Sequence, residues 1–208
     1  MRLRLDQKPE FFVSADISTQ QHEVKDMTED NRTVFLHNDD VHLVLIEETD
    51  APTLLRGMND TGTTRFLNRV DMPTSLDFER EWVRGLYTST NKLVLGIWMV
   101  ESQKLIGTIS LNKLCYRNGT AILGIAIFDT THHGRGIGTS AITMLLEHAF
   151  TRMNLRAVKL SVFSHNARAL RCYKRCGFEV VGTIPNWVFV DGKYRDEIIM
   201  VVRRRRAH

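Results

Sequence analysis

The stretch Ala121 to Thr139, AILGIAIFDTTHHGRGIGT, constrains the fold of this chain more than any other. An apolar run suited to a buried strand ends in a glycine-rich turn, and the turn opens an amphipathic helix. Gly134, Gly136 and Gly138 alternate with Arg135 and Ile137, so the backbone can turn sharply and bring its N–H groups to an anion with no side chain in the way. The partial positive charge at the start of the following helix adds to that attraction. The stretch reads as a phosphate cradle.

The surroundings narrow the phosphate. A P-loop requires a lysine after its last glycine, and none follows Gly138. A dinucleotide fingerprint requires G-x-G-x-x-G and an acid roughly 20 positions on for the ribose hydroxyls. Here the spacing is G-x-G-x-G, and no Asp or Glu occurs between Glu147 and Glu179. That interval carries Arg152, Arg156, Lys159, Arg168, Arg171, Lys174 and Arg175 instead, which suits a nucleotide with an extra ribose phosphate better than NAD.

Around the cradle, Val41 to Ile46 alternates like a strand, and Thr49 is placed to cap a helix to about Met58. Phe78, Trp82 and Leu86 recur every fourth residue and predict a helix over Leu76 to Tyr87. Lys92 to Val100 and Lys104 to Asn112 read as a hairpin, then a turn at Asn118 and Gly119 leads into the strand Ala121 to Phe128. After the cradle, Ile137, Ala141, Leu145 and Ala149 form a helical stripe widened by Ile142, Leu146 and Phe150. Val158 to Phe163 is a strand, and Asn166 begins a helix to Cys176 that Gly177 ends in a left-handed conformation. Val180 to Ile184 and Glu197 to Val202 form a closing pair, separated by a Pro185 turn, Trp187 to Val190 and an Asp191-Gly192 turn. Strand–helix–strand alternation with consecutive hairpins implies an α/β (α+β) fold, a mixed sheet with helices on both faces.

With 208 residues and 43% hydrophobic content, the chain has material for one core. We expect a polar N-terminal extension over 1–35, one domain over 36–203 and a basic tail over 204–208. Residues 1 to 40 hold 5 basic and 9 acidic residues, a balance of −4, against +8 for the remainder. Arg203 to Arg206 is the one run that favours nucleic acid, which is otherwise not expected as a partner. The longest apolar run falls far short of the roughly 20 residues that span a bilayer, and MRLRLDQKPE lacks the apolar segment of a secretory signal. Three cysteines, Cys115, Cys172 and Cys176, form no disulfide framework and no zinc spacing. The expectation is a cytoplasmic protein with no metal and no membrane partner.

Two motifs in order give the chain a family resemblance. HHGRGIGT resembles the [QR]-x-x-G-x-[GA] loop of the GNAT superfamily, the acyl-CoA-dependent N-acetyltransferases, with His133 where Gln or Arg is usual. Asn166 opening a helix, Tyr173 seven residues later and then Gly177-Phe178 resemble the family's second motif. The closing GKYRDEIIM is similar to the branch of ribosomal-protein N-terminal and spermidine acetyltransferases. The resemblance implies a mostly antiparallel sheet with a V-shaped gap between its fourth strand, at Leu123, and its fifth, and Gly124 is compatible with a bulge that opens it.

It further implies that His133, Gly134, Arg135, Gly136, Ile137, Gly138 and Thr139 hold the pyrophosphate of acetyl-CoA. Ala126, Ile127, Phe128 and Asn166 would contact its pantetheine arm, and Tyr173 would be the general acid. Physical chemistry agrees: seven residues of helix return to within ~20° of the start, so Asn166 and Tyr173 share an edge. A tyrosine also keeps its proton at pH 7. The acceptor would be a primary amine, either a protein N-terminus or a small polyamine-like amine, walled by Thr49 to Tyr87, with Glu47, Glu48, Asp60 and Asp71 as candidate cation partners. Related enzymes often carry a basic Glu two residues before the strand glycine, where this chain has Ile122. Proton removal is then left to a water chain, to a more distant residue such as Asp129, Glu101 or Asp196, or to solvent. A non-catalytic acyl-CoA sensor is the competing reading, and a homodimer is left open.

Overall fold

The computed structural model describes residues 32–67, 72–128, 130–132 and 134–204. Eight strands form one open sheet: β1 (Val34–His37), β2 (Val41–Val44), β3 (Leu93–Met99), β4 (Lys104–Cys115), β5 (Thr120–Ile127), β6 (Ala157–Phe163), β7 (Glu179–Val190) and β8 (Lys193–Arg203). Their order is β1-β2-β3-β4-β5-β6-β8-β7. Five helices flank them: α1 (Ala51–Asn59), α2 (Thr61–Thr64), α3 (Leu76–Arg84), α4 (Ile137–Thr151) and α5 (Ala167–Arg175). The sheet is antiparallel except where β5 meets β6.

That one parallel contact is short. Thr120 to Ile122 pair with Ala157 to Lys159, and the ladder then stops. β6 pairs along its whole length with β8, from Ala157↔Arg203 to Phe163↔Glu197. β5 runs on beside β4 to Gly107↔Ile127. The two strands therefore diverge beyond Ile122, which is the V-shaped gap expected between the fourth and fifth strands counted from Val41. No bulge falls at Gly124, where the register Ser110↔Gly124 is unbroken. The irregularity lies on β4 between Asn112 and Cys115, where Lys113 has φ 49°. Gly124 meets a packing demand instead: a Cβ there would stand 2.8 Å from Ser110 Oγ.

Helices cover both faces because β3 is apolar on both. Leu95, Ile97 and Met99 join the α4 stripe of Ile137, Ala141, Ile142, Leu145, Leu146 and Ala149 in one buried cluster. Val94 and Trp98 face Leu54 of α1 and Val83 of α3 in a second. Each strand residue thus alternates between two cores, the pattern of a sheet buried on both sides.

Several expectations shift in detail. Arg32 and the first half of β1, Val34 and Phe35, assigned to the polar extension, belong to the fold: β1 pairs with β2, and Arg32 makes a two-bond ion pair with buried Asp50 at 2.7 and 2.8 Å. Thr49 does not cap α1, since a 3-10 turn over Glu48–Asp50 precedes it and Asp50 is the N-cap. β7 continues through Pro185, at the edge of the sheet where a missing N–H breaks no ladder, and Asn186 with φ 50° absorbs the irregularity. Arg204 is tied down too, donating to Phe150 O at 3.2 Å and Asn154 Oδ1 at 2.9 Å. No helix among the described residues is long and apolar enough to cross a membrane.

Candidate active site

The cradle takes the shape its glycines dictate. Gly134 and Gly136 have φ of 83° and 86°, a region that a Cβ disfavours, and no other atom approaches either within 4 Å of a Cβ position. Gly136 is the N-cap of α4. The first helical bond is Ser140 N–H to Gly136 O at 3.0 Å, so the N–H groups of Ile137, Gly138 and Thr139 have no acceptor within the helix. No acid lies in this first turn to oppose an anion.

The second motif comes from α5. Asn166 is its N-cap, with the side-chain oxygen accepting from Ala169 N–H at 3.1 Å. The residue is only 8% exposed, yet its side-chain nitrogen has no hydrogen-bond partner among the described residues. Gly177 has φ 85°, and Phe178 N–H returns to Tyr173 O at 3.0 Å, ending the helix as its glycine predicts. Phe178 then stands edge-on to the Tyr173 ring, 6.0 Å between centroids. The Tyr173 hydroxyl has no hydrogen-bond partner among the described residues. Burial raises its pKa above the ordinary value of 10.0, which holds the proton on the oxygen.

These groups converge. A cavity of about 340 Å³ opens between β5 and α5, beyond the end of the β5–β6 ladder, and Ala126, Ile127, Gly134, Gly136, Ile137, Gly138, Thr139, Asn166 and Tyr173 all line it. Two of the expected residues are engaged elsewhere. The backbone of Phe128, expected to offer its groups to the arm, donates to Ile106 O at 2.8 Å and accepts from Thr63 Oγ1 at 3.3 Å while its ring fills the space beside Gly57 of α1, and Arg135 turns outward to Glu101 at 2.7 Å. His133 and Asp129 lie outside the described residues. Arg168, Arg171 and Arg175 of α5 also line the cavity, as do Gly62, Thr63 and Phe66 near α2, which no sequence signal marked. Cys172 lines it as well; a hydrogen bond from Cys176 lowers its pKa and raises that of Cys176, and Thr139 Oγ1 lies 3.4 Å from its sulfur. Among the described residues no group of three His, Cys, Asp or Glu is placed to hold a metal ion.

A second cavity, about 290 Å³, lies on the α3 side of β5 and shares Leu67, Ile125 and Ala126 with the first. Leu54, Met58, Phe78, Trp82 and Phe128 wall it, with Thr108 and Ser110 from β4. Of the acids expected for an acceptor, none of the described ones lines it. Glu48 pairs with Arg84 at 2.8 Å, Asp60 caps α2 by accepting from Thr63 N–H at 2.8 Å, Glu47 is engaged in a capping box, and Asp71 lies outside the described residues. Nor do the alternative bases: Glu101 holds Arg135, and Asp196 accepts from Asn186 N–H at 2.9 Å. The acid that does line the cavity is Glu79, which the sequence reading passed over.

Comparisons with known proteins agree with this architecture. The family model described as "Acetyltransferase (GNAT) domain" matches residues 40–179. The "Probable N-acetyltransferase YjcK" of Bacillus subtilis (strain 168) is 28% identical over 109 residues, 51% of this chain and 59% of that protein. The "Spermidine N(1)-acetyltransferase" of Escherichia coli (strain K12) is 32% identical over 76 residues, 36% of this chain and 41% of that one. The matches thus span about half the length of these relatives. The spermidine N-acetyltransferase of Vibrio cholerae, solved with CoA and spermine, superposes with a TM-score of 0.73 at 23% identity, covering 80% of this chain and 96% of that one.

Proposed function

The chain belongs to the GNAT family of acetyltransferases, and on that premise we propose that it moves an acetyl group from acetyl-CoA to a primary amine, a protein N-terminus or a small polyamine-like amine. The observation that carries this reading is that Tyr173, Asn166 and the glycine cradle line one cavity beyond the end of the β5–β6 ladder.

The donor set fits the co-substrate. The free N–H groups of Ile137, Gly138 and Thr139 suit a pyrophosphate, and Arg168, Arg171 and Arg175 suit a further phosphate on the same molecule. Ala126 and Ile127 form the strand side of the cavity, and Asn166 offers its side-chain nitrogen. When bound, acetyl-CoA supplies the acetyl group as a thioester. As the amine nitrogen forms the new C–N bond and the C–S bond breaks, the electron pair stays on sulfur. Tyr173 Oη–H is the donor that meets it, and exclusion of water raises the basicity of that sulfur. The amine sheds its surplus proton to solvent.

A screen of thiol release from acetyl-CoA against polyamines, aminoglycosides, amino acids and ribosomal-protein N-terminal peptides tests the reading. Turnover with an amine supports it, and no turnover across the panel favours the acyl-CoA sensor. The cradle has its own test. Gly136→Ala adds a methyl to open space, so its effect is the cost of holding a left-handed alanine, about 1–2 kcal/mol. The unliganded loop of the variant can relax out of that conformation and CoA must restore it, so CoA binding should weaken by up to roughly tenfold by calorimetry. Gly182→Ala, which also meets nothing within 4 Å but carries no positive φ, should leave it unchanged. Equal CoA affinity in the two variants would remove the cradle from the binding site.

A further inference from the structure

We infer that the second cavity takes the acceptor as a singly charged primary amine on an apolar or aromatic stem, with the Glu79 carboxylate as its counter-ion. The inference rests on the acetyl-transfer reading for the identity of the occupant as acceptor, while the amine pocket itself rests on the cavity alone.

Glu79 is 5% exposed and lines this cavity. Its carboxylate has no hydrogen bond or ion pair among the described residues. The charged residues beside it on α3 are committed elsewhere, Arg80 to Asp77 at 3.4 Å and Arg84 to Glu48 at 2.8 Å. An isolated buried carboxylate is costly, and a position with only a packing role would be better filled by an apolar side chain. Thr74 supplies a second, independent orphan: its Oγ1 is buried without a partner and the residue lines the same cavity. The placement of Thr74 is firm, since Asn59 of α1 donates to Thr74 O at 3.0 Å and accepts from Thr74 N–H at 2.9 Å. A carboxylate and a hydroxyl, both unpaired, are the partners that an ammonium of three N–H donors would satisfy.

The walls define what the ammonium is attached to. Trp82, Phe78 and Phe128 present aromatic surface, which favours both an apolar stem and a nearby cation. Among the described residues that line the cavity, Glu79 is the sole ionisable group. A polyamine would bring two or three charges to a site with one counter-charge. Ile125 and Ala126, shared with the cofactor-side cavity, place the amine across the strand edge from the thioester site.

Calorimetry on the full chain, with and without CoA, tests this using phenethylamine, spermidine and 2-phenylethanol as probes. Phenethylamine should bind at least tenfold tighter than either of the others. Glu79→Gln should weaken phenethylamine at least tenfold while CoA binds as in wild type. Spermidine or 2-phenylethanol binding as tightly as phenethylamine would overturn the inference on the wild-type protein alone, whatever the variant's stability. Wild-type phenethylamine affinity in a folded Glu79→Gln protein would overturn it too. Glu79-dependent phenethylamine binding, with no thiol release from phenethylamine or from any amine of the panel, would sink the acetyl-transfer reading and leave the amine pocket standing.

Discussion

Tyr173→Phe should lower the rate of acetyl transfer by about 10²- to 10⁴-fold, the range that a positioned proton donor contributes. The substitution removes one oxygen and leaves the ring in its edge-on contact with Phe178, so the helix and its neighbours are undisturbed. CoA affinity should stay within about twofold, because the cradle and the α5 arginines are untouched. The pH dependence gives a second readout. A donor must be protonated, and burial raises this phenol above its ordinary 10.0, so wild-type kcat should show no fall from Tyr173 on approach to pH 10. A Tyr173→Phe protein that turns over within threefold of wild type would return Tyr173 to the role of a packing residue. Loss of CoA binding in step with rate would do the same.

The geometry around the first cavity is legible in the sequence because its residues are fixed by local rules. Gly134 and Gly136 need positive φ, Asn166 caps a helix, and Tyr173 follows at two helical turns, so position along the chain dictates position in space. Arg135 shows the limit of the same rules: the backbone of the loop follows from its glycines, while the side chain follows a distant partner, Glu101. The gap itself was foreseen through the family resemblance, but its local cause was misplaced. Gly124 is small because Ser110 crosses it, and the contact spans two strands.

The second cavity is harder to read because α3 turns a different face inward than its apolar pattern suggests. Phe78, Trp82 and Leu86 repeat every fourth residue, yet Phe78 is 60% exposed at the rim of the second cavity. Glu79 and Val83 are the buried pair, one step around the helix. A reading that sorts Glu with solvent cannot choose that face. The result is coherent once both cavities are considered together: the aromatic residues line a mouth, and the carboxylate lies deeper where an amine would need it. Strand β5 separates the two chambers and touches both, through Ile125 and Ala126.

That strand makes Gly107→Ala the most disruptive small substitution we foresee. Gly107 lies opposite Ile127 on β4, and a Cβ there would stand 2.3 Å from Ala126 O and 3.0 Å from Ile127 Cα. Both are backbone atoms, so no rotamer change relieves the clash and β5 must move away from β4. Overpacking of this kind costs about 3 kcal/mol, which for a chain of this size corresponds to a fall in Tm of roughly 6–12 °C. The displacement falls on Ala126 and Ile127, the stretch that borders the first cavity, so acetyl transfer should drop by more than the loss of folded protein explains. Thermal melts and kcat/KM corrected for the folded fraction measure the two effects separately. A Gly107→Ala protein that melts within about 2 °C of wild type would mean that β4 and β5 do not approach as closely as this register requires.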